Sequence, residues 1–192
     1  MKFFYPILVF SVLFISCRKE IVPTDRETLP LAPAILMRSL TYPSTNTTES
    51  KSYEAANDSL AVTAQLSASQ QLLVNFQLPL RSGPDQVQFS IEASKLQSGY
   101  TGSYSLQQAT SGVLNGDAQV KYWYRRAVDS YMEFDAGNAA GELNITAYDV
   151  AAKSISGDFD FVINSFHDPK VGMNWVETKI RVSGSFQQVK LP

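Results

Sequence analysis

The chain has little of two residues on which many active sites and metal sites are built. It contains one cysteine and one histidine in 192 residues. A lone cysteine forms no disulfide within the chain, and a zinc site of thiolates and imidazoles needs several such ligands. A catalytic triad would have to use His167. We therefore expect no metal ion, no cofactor and no enzymatic activity.

Charge is also sparse, and the two signs nearly cancel. Lysine and arginine number 16 against 18 aspartates and glutamates, which gives a formal net charge of −2 at pH 7. A nucleic-acid-binding surface normally shows as an excess of basic residues, so nucleic acid is not an expected partner. The hydrophobic content of 44% is that of a globular protein, and a folded core is expected without disulfides.

A strongly apolar run lies at the N-terminus. Lys2 precedes residues 3–16, which carry no charge, and the run ends at Cys17. It is shorter than the roughly 20 residues that a membrane-spanning helix needs. Its length and its basic start suit the apolar core of a secretory signal. We therefore predict a signal peptide over residues 1–16.

The end of this run, Phe14-Ile15-Ser16-Cys17, places a small residue directly before the only cysteine. The segment resembles the bacterial lipobox. The resemblance implies a diacylglycerol on the Cys17 sulfur, cleavage before Cys17 and a further acyl chain, such as palmitate, on the new amino terminus. Several acyl chains anchor a protein stably in a membrane. Because Arg18 follows the cysteine where Asp would retain the protein, the resemblance also implies the outer membrane, with its periplasmic and surface-facing sides both open.

The prolines that follow favour an extended backbone, since three of them lie between residues 18 and 36. We interpret residues 17–40 as a lipid-anchored tether, within which residues 31–37 are apolar enough to dock as an edge strand or a short helix. Residues 41–58 are rich in Ser, Thr and Asn and are predicted to be a loop. Residues 41–192 are predicted to form a single β domain.

From Leu60 onward, apolar and polar residues alternate, which is typical of strands with one buried face. Turn residues separate most of these segments, and no long helical period appears. The pattern predicts about eight to ten antiparallel strands. We favour an all-β antiparallel sandwich over a closed β-barrel, because the predicted inward residues are large enough to fill the interior. They include Phe76, Phe89, Tyr122, Phe134, Phe159 and Phe161.

The C-terminal half contains segments that combine glycine with aromatic residues. Residues 141–149 have the sequence GELNITAYD, residues 155–161 have ISGDFDF, and residues 184–186 have GSF. Together with GYTGSYSL at residues 99–106, they resemble uncharacterised β-rich lipoproteins of the Bacteroidota. The resemblance covers roughly residues 99–189. It implies a place in the cell envelope, and it supplies no catalytic residue.

The strongest candidate for binding is the segment Tyr122-Trp123-Tyr124-Arg125. If both tyrosines point into the core, Trp123 and Arg125 share the outer face of the strand. Tryptophan beside arginine can stack on a sugar ring or anchor a protein partner. Trp175 would add to this patch if its strand lies near. The alternative is that Trp123 packs beneath a loop or beneath the N-terminal segment.

Two further groups of residues have the chemistry of a site. His167 and Asp168 are adjacent in a turn-like stretch, residues 164–169, but adjacency does not create a triad, and we interpret His167 as a loop histidine. The carboxylates of Asp149, Asp158, Asp160 and Asp168 are of the type that binds calcium. Their spacing is not that of a calcium-binding loop, and we interpret them as solvated acids.

The expected function is that of a non-catalytic envelope lipoprotein that presents a β-sandwich to an envelope protein or a glycan. The alternative is a lipocalin-like carrier, in which the strands close into a barrel around a small apolar ligand. The membrane itself is a predicted partner, through lipid on Cys17.

Lipidation is tested by the intact mass of the native protein. We expect the mass of residues 17–192 plus an acylated glycerol, and we expect Cys17→Ser to carry no lipid, because only the thiol forms the thioether. A mature wild-type chain without acyl groups would contradict the prediction.

Overall fold

A computed structural model describes residues 32–79, 85–110, 113–127, 130–134, 137, 139–170 and 174–192. The predicted signal peptide and Cys17 lie outside the described residues. Among the described residues, no helix has the length and apolar character needed to cross a bilayer.

The described residues form thirteen strands and very little helix. The strands are β1 Ala34–Tyr42, β2 Thr47–Glu54, β3 Ala61–Leu66, β4 Leu72–Gln77, β5 Asp85–Ile91, β6 Gly102–Ser105, β7 Gln108–Thr110, β8 Val113–Asn115, β9 Ala118–Ala127, β10 Ser130–Phe134, β11 Ala139–Asp149, β12 Ser154–Lys170 and β13 Asn174–Lys190. One short helix, α1 Ala55–Asp58, follows β2, and a 3₁₀ turn, Ala93–Lys95, follows β5.

Two antiparallel sheets pack against each other. Sheet A has six strands in the order β2-β1-β13-β12-β11-β6, and sheet B has five in the order β10-β9-β5-β4-β3. Strands β7 and β8 pair separately as a hairpin. Inward side chains of both sheets form one hydrophobic core. The predicted all-β sandwich is confirmed, and the described sheets do not close into a barrel.

Aromatic side chains from the two sheets interlock at the centre of this core. Phe76 and Phe89 of sheet B each have their ring centroid 4.9 Å from that of Phe159 in sheet A. Phe186 of sheet A contacts Phe76 edge-on at 5.7 Å. All four side chains are buried, with 2% exposure or less. The period-two alternation therefore brings these rings together, as the sequence predicts.

Two glycines of the C-terminal motif lie directly under aromatic rings of the neighbouring strand. Gly157 pairs with Phe186, and Gly184 pairs with Phe159. A Cβ atom on Gly157 would lie 2.8 Å from the Phe186 ring, and one on Gly184 would lie 2.7 Å from the Phe159 ring. Each ring thus occupies the space that a side chain at the glycine would fill. The glycines of this pattern therefore allow the aromatic rings of neighbouring strands to pack closely on sheet A.

Strand β1 overlaps the predicted tether. Residues 34–40 pair with β13 on one side and with β2 on the other, so they form an interior strand of sheet A. Leu36 and Leu40 point inward and are fully buried. Arg38 is also buried between them, and its charge interrupts the apolar alternation. The folded part consequently begins earlier than the predicted boundary at residue 41.

Strand β2 falls within residues 41–58, and the loop predicted there is wrong. The strand lies at the edge of sheet A, where it pairs with β1. Its side chains are exposed except for Tyr53. An edge strand of serine and threonine that buries one side chain has no apolar alternation to detect.

The turn predicted around His167 is also wrong. Residues 164–169 continue β12, which stays paired with β13 up to Lys170. An irregularity in the pairing between Ile163 and Phe166 interrupts the alternation there. A similar irregularity between Ile145 and Ala147 turns Ala147 outward, although its spacing predicts an inward position. Extra residues in a strand hide its period from the sequence.

The packing of glycine under phenylalanine is tested by Gly184→Ala. The new Cβ atom would lie 2.5 Å from the Ile35 carbonyl oxygen and 2.7 Å from the Phe159 ring. We expect the free energy of unfolding to fall by about 1–3 kcal/mol in urea denaturation. Ser185→Ala, on the outer face of the same strand, is the control and should change it by less than about 0.5 kcal/mol. Equal stability of the two variants would show that the ring does not cover the glycine.

Candidate functional site

A buried polar cluster joins the two sheets within the core. The carboxylate of Asp85 in sheet B accepts hydrogen bonds from the hydroxyls of Tyr53 (2.8 Å) and Tyr122. Arg38 of sheet A places Nη1 3.5 Å from Asp85 Oδ1, and its Cζ lies 4.5 Å from the centroid of the Tyr124 ring. These five residues, which we call the inter-sheet cluster, connect β1 and β2 with β5 and β9.

The cluster keeps Arg38 charged and Tyr53 and Tyr122 neutral. Burial is the largest single influence on Arg38 and disfavours its cationic form, but the charge of Asp85 and the three tyrosine hydroxyls together outweigh burial and raise the pKa of Arg38. Burial and the Asp85 charge both raise the pKa of Tyr53 and Tyr122. Both hydroxyls therefore remain hydrogen-bond donors. Asp85 is 2% exposed, so its carboxylate is engaged inside the protein and is closed to a substrate.

His167 and Asp168 do not act together. His167 is exposed opposite Glu177, whereas Asp168 is fully buried and accepts a hydrogen bond from the Tyr42 hydroxyl at 2.7 Å. Consecutive residues of a strand point to opposite faces of the sheet, and these two follow that rule. The geometry offers no acid–base pair here.

The four candidate calcium ligands are likewise separated. Asp158 and Asp160 lie on the outer face of sheet A, where they pair with Asn144 and Arg181, whereas Asp168 points inward. The carboxylate of Asp149 accepts a hydrogen bond from the backbone of the following turn. Within the described residues, no three potential metal ligands come together.

The outer face of sheet A is largely paired with itself. Hydrogen bonds or ion pairs link Ser39 with Ser50, Thr41 with Thr48, Ser103 with Glu142, Asn144 with Asp158, and Arg181 with Asp160. Shallow open grooves run along this face, and the Arg181–Asp160 pair lines two of them. Most of the polar groups on this face already have partners, so these grooves offer a ligand few free donors or acceptors.

The outer face of sheet B carries side-chain amides beside a tryptophan. Gln77, Gln86 and Trp123 lie opposite one another on β4, β5 and β9. Asn75 and Gln88 form the next row on β4 and β5. We call these five residues the amide face. The amide face points outward, because the residues that alternate with it along the strands are buried. These buried residues are Val74, Phe76, Val87, Phe89, Tyr122 and Tyr124.

Within the part of the chain that the structure describes, the side-chain amides of this face have no hydrogen-bond partner. Gln86, Gln88 and Asn75 are half-buried, and Gln77 is exposed. Among the described residues, no hydrogen bond joins any of these four side-chain amides to another group. An amide offers two N–H donors and a carbonyl acceptor, so the described face presents several donors and acceptors to a ligand.

Trp123 is half-buried on this face, between Gln86 of β5 and Glu133 of β10. Arg125 lies further along β9, and Trp175 lies on β13 of sheet A; the side chains of both fall outside the described part of the chain. The two tryptophans thus belong to different sheets. The structure gives Trp123 amide neighbours that sequence analysis missed, although they fill the polar positions of N-x-Q in β4 and Q-x-Q in β5.

No protein-family model, curated protein or solved structure matches this chain. The resemblance to lipoproteins of the Bacteroidota therefore stays a prediction.

Proposed function

We propose that this protein is a non-catalytic lipoprotein of the bacterial outer membrane, and that it binds an envelope component through its amide face. The observation that carries the proposal is the contrast between the outer faces of the two sheets. Most polar groups on the outer face of sheet A are paired with one another, whereas the amides beside Trp123 on sheet B have no hydrogen-bond partner among the described residues.

The amide face is also preorganised for binding. Its side chains stand on three paired strands whose inner faces pack into the core, so the backbone beneath them is fixed. A site built on strands loses less conformational entropy on binding than one built on loops. Trp123 adds a large, rigid contact surface.

The predicted lipid on Cys17 would place the amide face at the outer membrane. Acyl chains on that residue would hold the sandwich at the outer membrane, where its ligands are components of the envelope. The alternative, a lipocalin-like carrier, needs a cavity inside a closed barrel. The described sheets do not close and aromatic rings fill the space between them, so no observation favours the carrier.

Hydroxyl-radical footprinting of the lipoprotein tests the proposal. The oxidation rate of Trp123 would be measured on intact cells and on the purified mature protein in detergent micelles. We expect Trp123 to be oxidised several-fold more slowly on cells, because the bound component covers it. Met37 is the internal control, since it is 47% exposed on the outer face of sheet A and should react equally in both states.

Equal oxidation of Trp123 in the two states would contradict the proposal. Equal protection of Met37 and Trp123 would also contradict it, because the whole domain would then be shielded without preference for the amide face.

A further inference from the structure

We infer that the amide face binds an uncharged glycan chain that lies across the strands of sheet B. The inference rests on the proposed function and names the class of ligand.

The hydrogen-bonding groups of the face suit hydroxyl groups. A sugar hydroxyl both donates and accepts a hydrogen bond, and so does a side-chain amide. Asn75, Gln77, Gln86 and Gln88 therefore offer matched partners to neighbouring hydroxyls of one sugar. Phosphate and carboxylate ligands are instead recognised by arginine and lysine, which form charge-assisted bonds.

The electrostatics of the face also favour an uncharged ligand. The charged residues with described side chains that border Trp123 and Gln88 are Glu133 and Lys121, and these two side chains lie 3.7 Å apart as an ion pair. At distances well beyond this separation, their opposite charges largely cancel. The four amides carry no charge, so the described part of the face neither attracts nor repels an ion.

Trp123 supplies the apolar part of the recognition. One side of a pyranose ring presents C–H bonds with a small positive charge, and the face of an indole ring is electron-rich. Stacking of the two buries apolar area without breaking hydrogen bonds of the sugar hydroxyls. A tryptophan next to these amides can therefore contact a sugar in two ways: the indole stacks on the apolar ring face, and the amides bind the hydroxyl groups.

The spacing of the row suits a chain of sugars. Neighbouring strands lie about 4.8 Å apart, so the row from Gln77 through Gln86 to Trp123 spans about 10 Å. That distance is close to the length of two linked pyranose rings. A glycan that crosses the strands would meet an amide on β4, an amide on β5 and the indole on β9.

A protein partner fits the face less well. Stable protein interfaces bury about 800 Å² on each side around a core of apolar and aromatic anchors. Trp123 is the single aromatic residue whose side chain the structure describes on this face, and its described neighbours are amides and charged groups. A polar face on which Trp123 is the one described aromatic side chain is better matched to a polyhydroxylated chain.

Binding to immobilised polysaccharides tests the inference, with the mature lipoprotein in detergent micelles. The neutral panel is dextran, mannan, galactan, xylan and mixed-linkage β-glucan, and the anionic panel is alginate, polygalacturonate and heparin. We expect binding to at least one neutral polymer. Trp123→Ala should weaken it at least about tenfold and Gln86→Leu about three- to tenfold, as expected for a lost stacking contact and a lost hydrogen bond.

The control is Gln187→Leu, which removes an exposed amide from sheet A and should leave binding unchanged. Trp123→Phe keeps an aromatic ring and should retain most of the affinity. Circular dichroism is used to check that each variant is folded. If Trp123→Ala is unfolded, the inference is tested by Gln86→Leu.

The inference is overturned if only anionic polymers bind, which would assign recognition to basic groups such as Arg125. Neutral binding that survives Trp123→Ala and Gln86→Leu would place the site elsewhere. If the neutral panel fails while Trp123 is still protected on cells, the ligand class is wrong and the proposed function stands. If no neutral polymer binds and Trp123 is not protected on cells, both the glycan inference and the proposed function are contradicted.

Discussion

The ion pair between Arg38 and Asp85 connects the two sheets inside the sandwich, and the outer surface depends on it. Asp85 is on β5 and its tyrosine partner Tyr122 is on β9, so the cluster fixes which face of each strand points inward. Their neighbours in sequence, Gln86 and Trp123, must then point outward. A shift of the pairing register by one residue in β5 or β9 would turn the inward residues outward and the outward residues inward. The buried cluster thus positions the amide face from beneath.

Burying such an ion pair has a large desolvation cost. Removing two charges from water costs several kcal/mol per ion, which mutual attraction offsets only when further partners are in place. Here the Tyr53 and Tyr122 hydroxyls donate to the carboxylate, and the Tyr124 ring covers the guanidinium. We expect an arrangement with these geometric requirements to favour one packing of the two sheets. At the centre of the same core, interlocked phenylalanines and the glycines beneath them fill the volume without polar groups.

Alternation predicted the central strands well, because β4, β5 and β9 bury one face completely. It anticipated β1 only in part, as an edge strand or short helix over residues 31–37, because Arg38 places a charge at an inward position. It missed β2, whose edge position leaves little to bury. It also predicted the outward face of Trp123. The amides beside it were not recognised, because isolated polar positions resemble any solvated face. They become a site only when the fold places β9, with Trp123, beside β5.

A double-mutant cycle measures the central interaction most directly. Arg38→Met, Asp85→Asn and the double variant would be compared with the wild type by urea denaturation. Each single change should cost about 3–5 kcal/mol, because it leaves one buried charge unpaired. The double variant should cost at least about 1 kcal/mol less than the sum of the single changes. Costs that add to within about 0.5 kcal/mol would show that the two charges do not hold the sheets together.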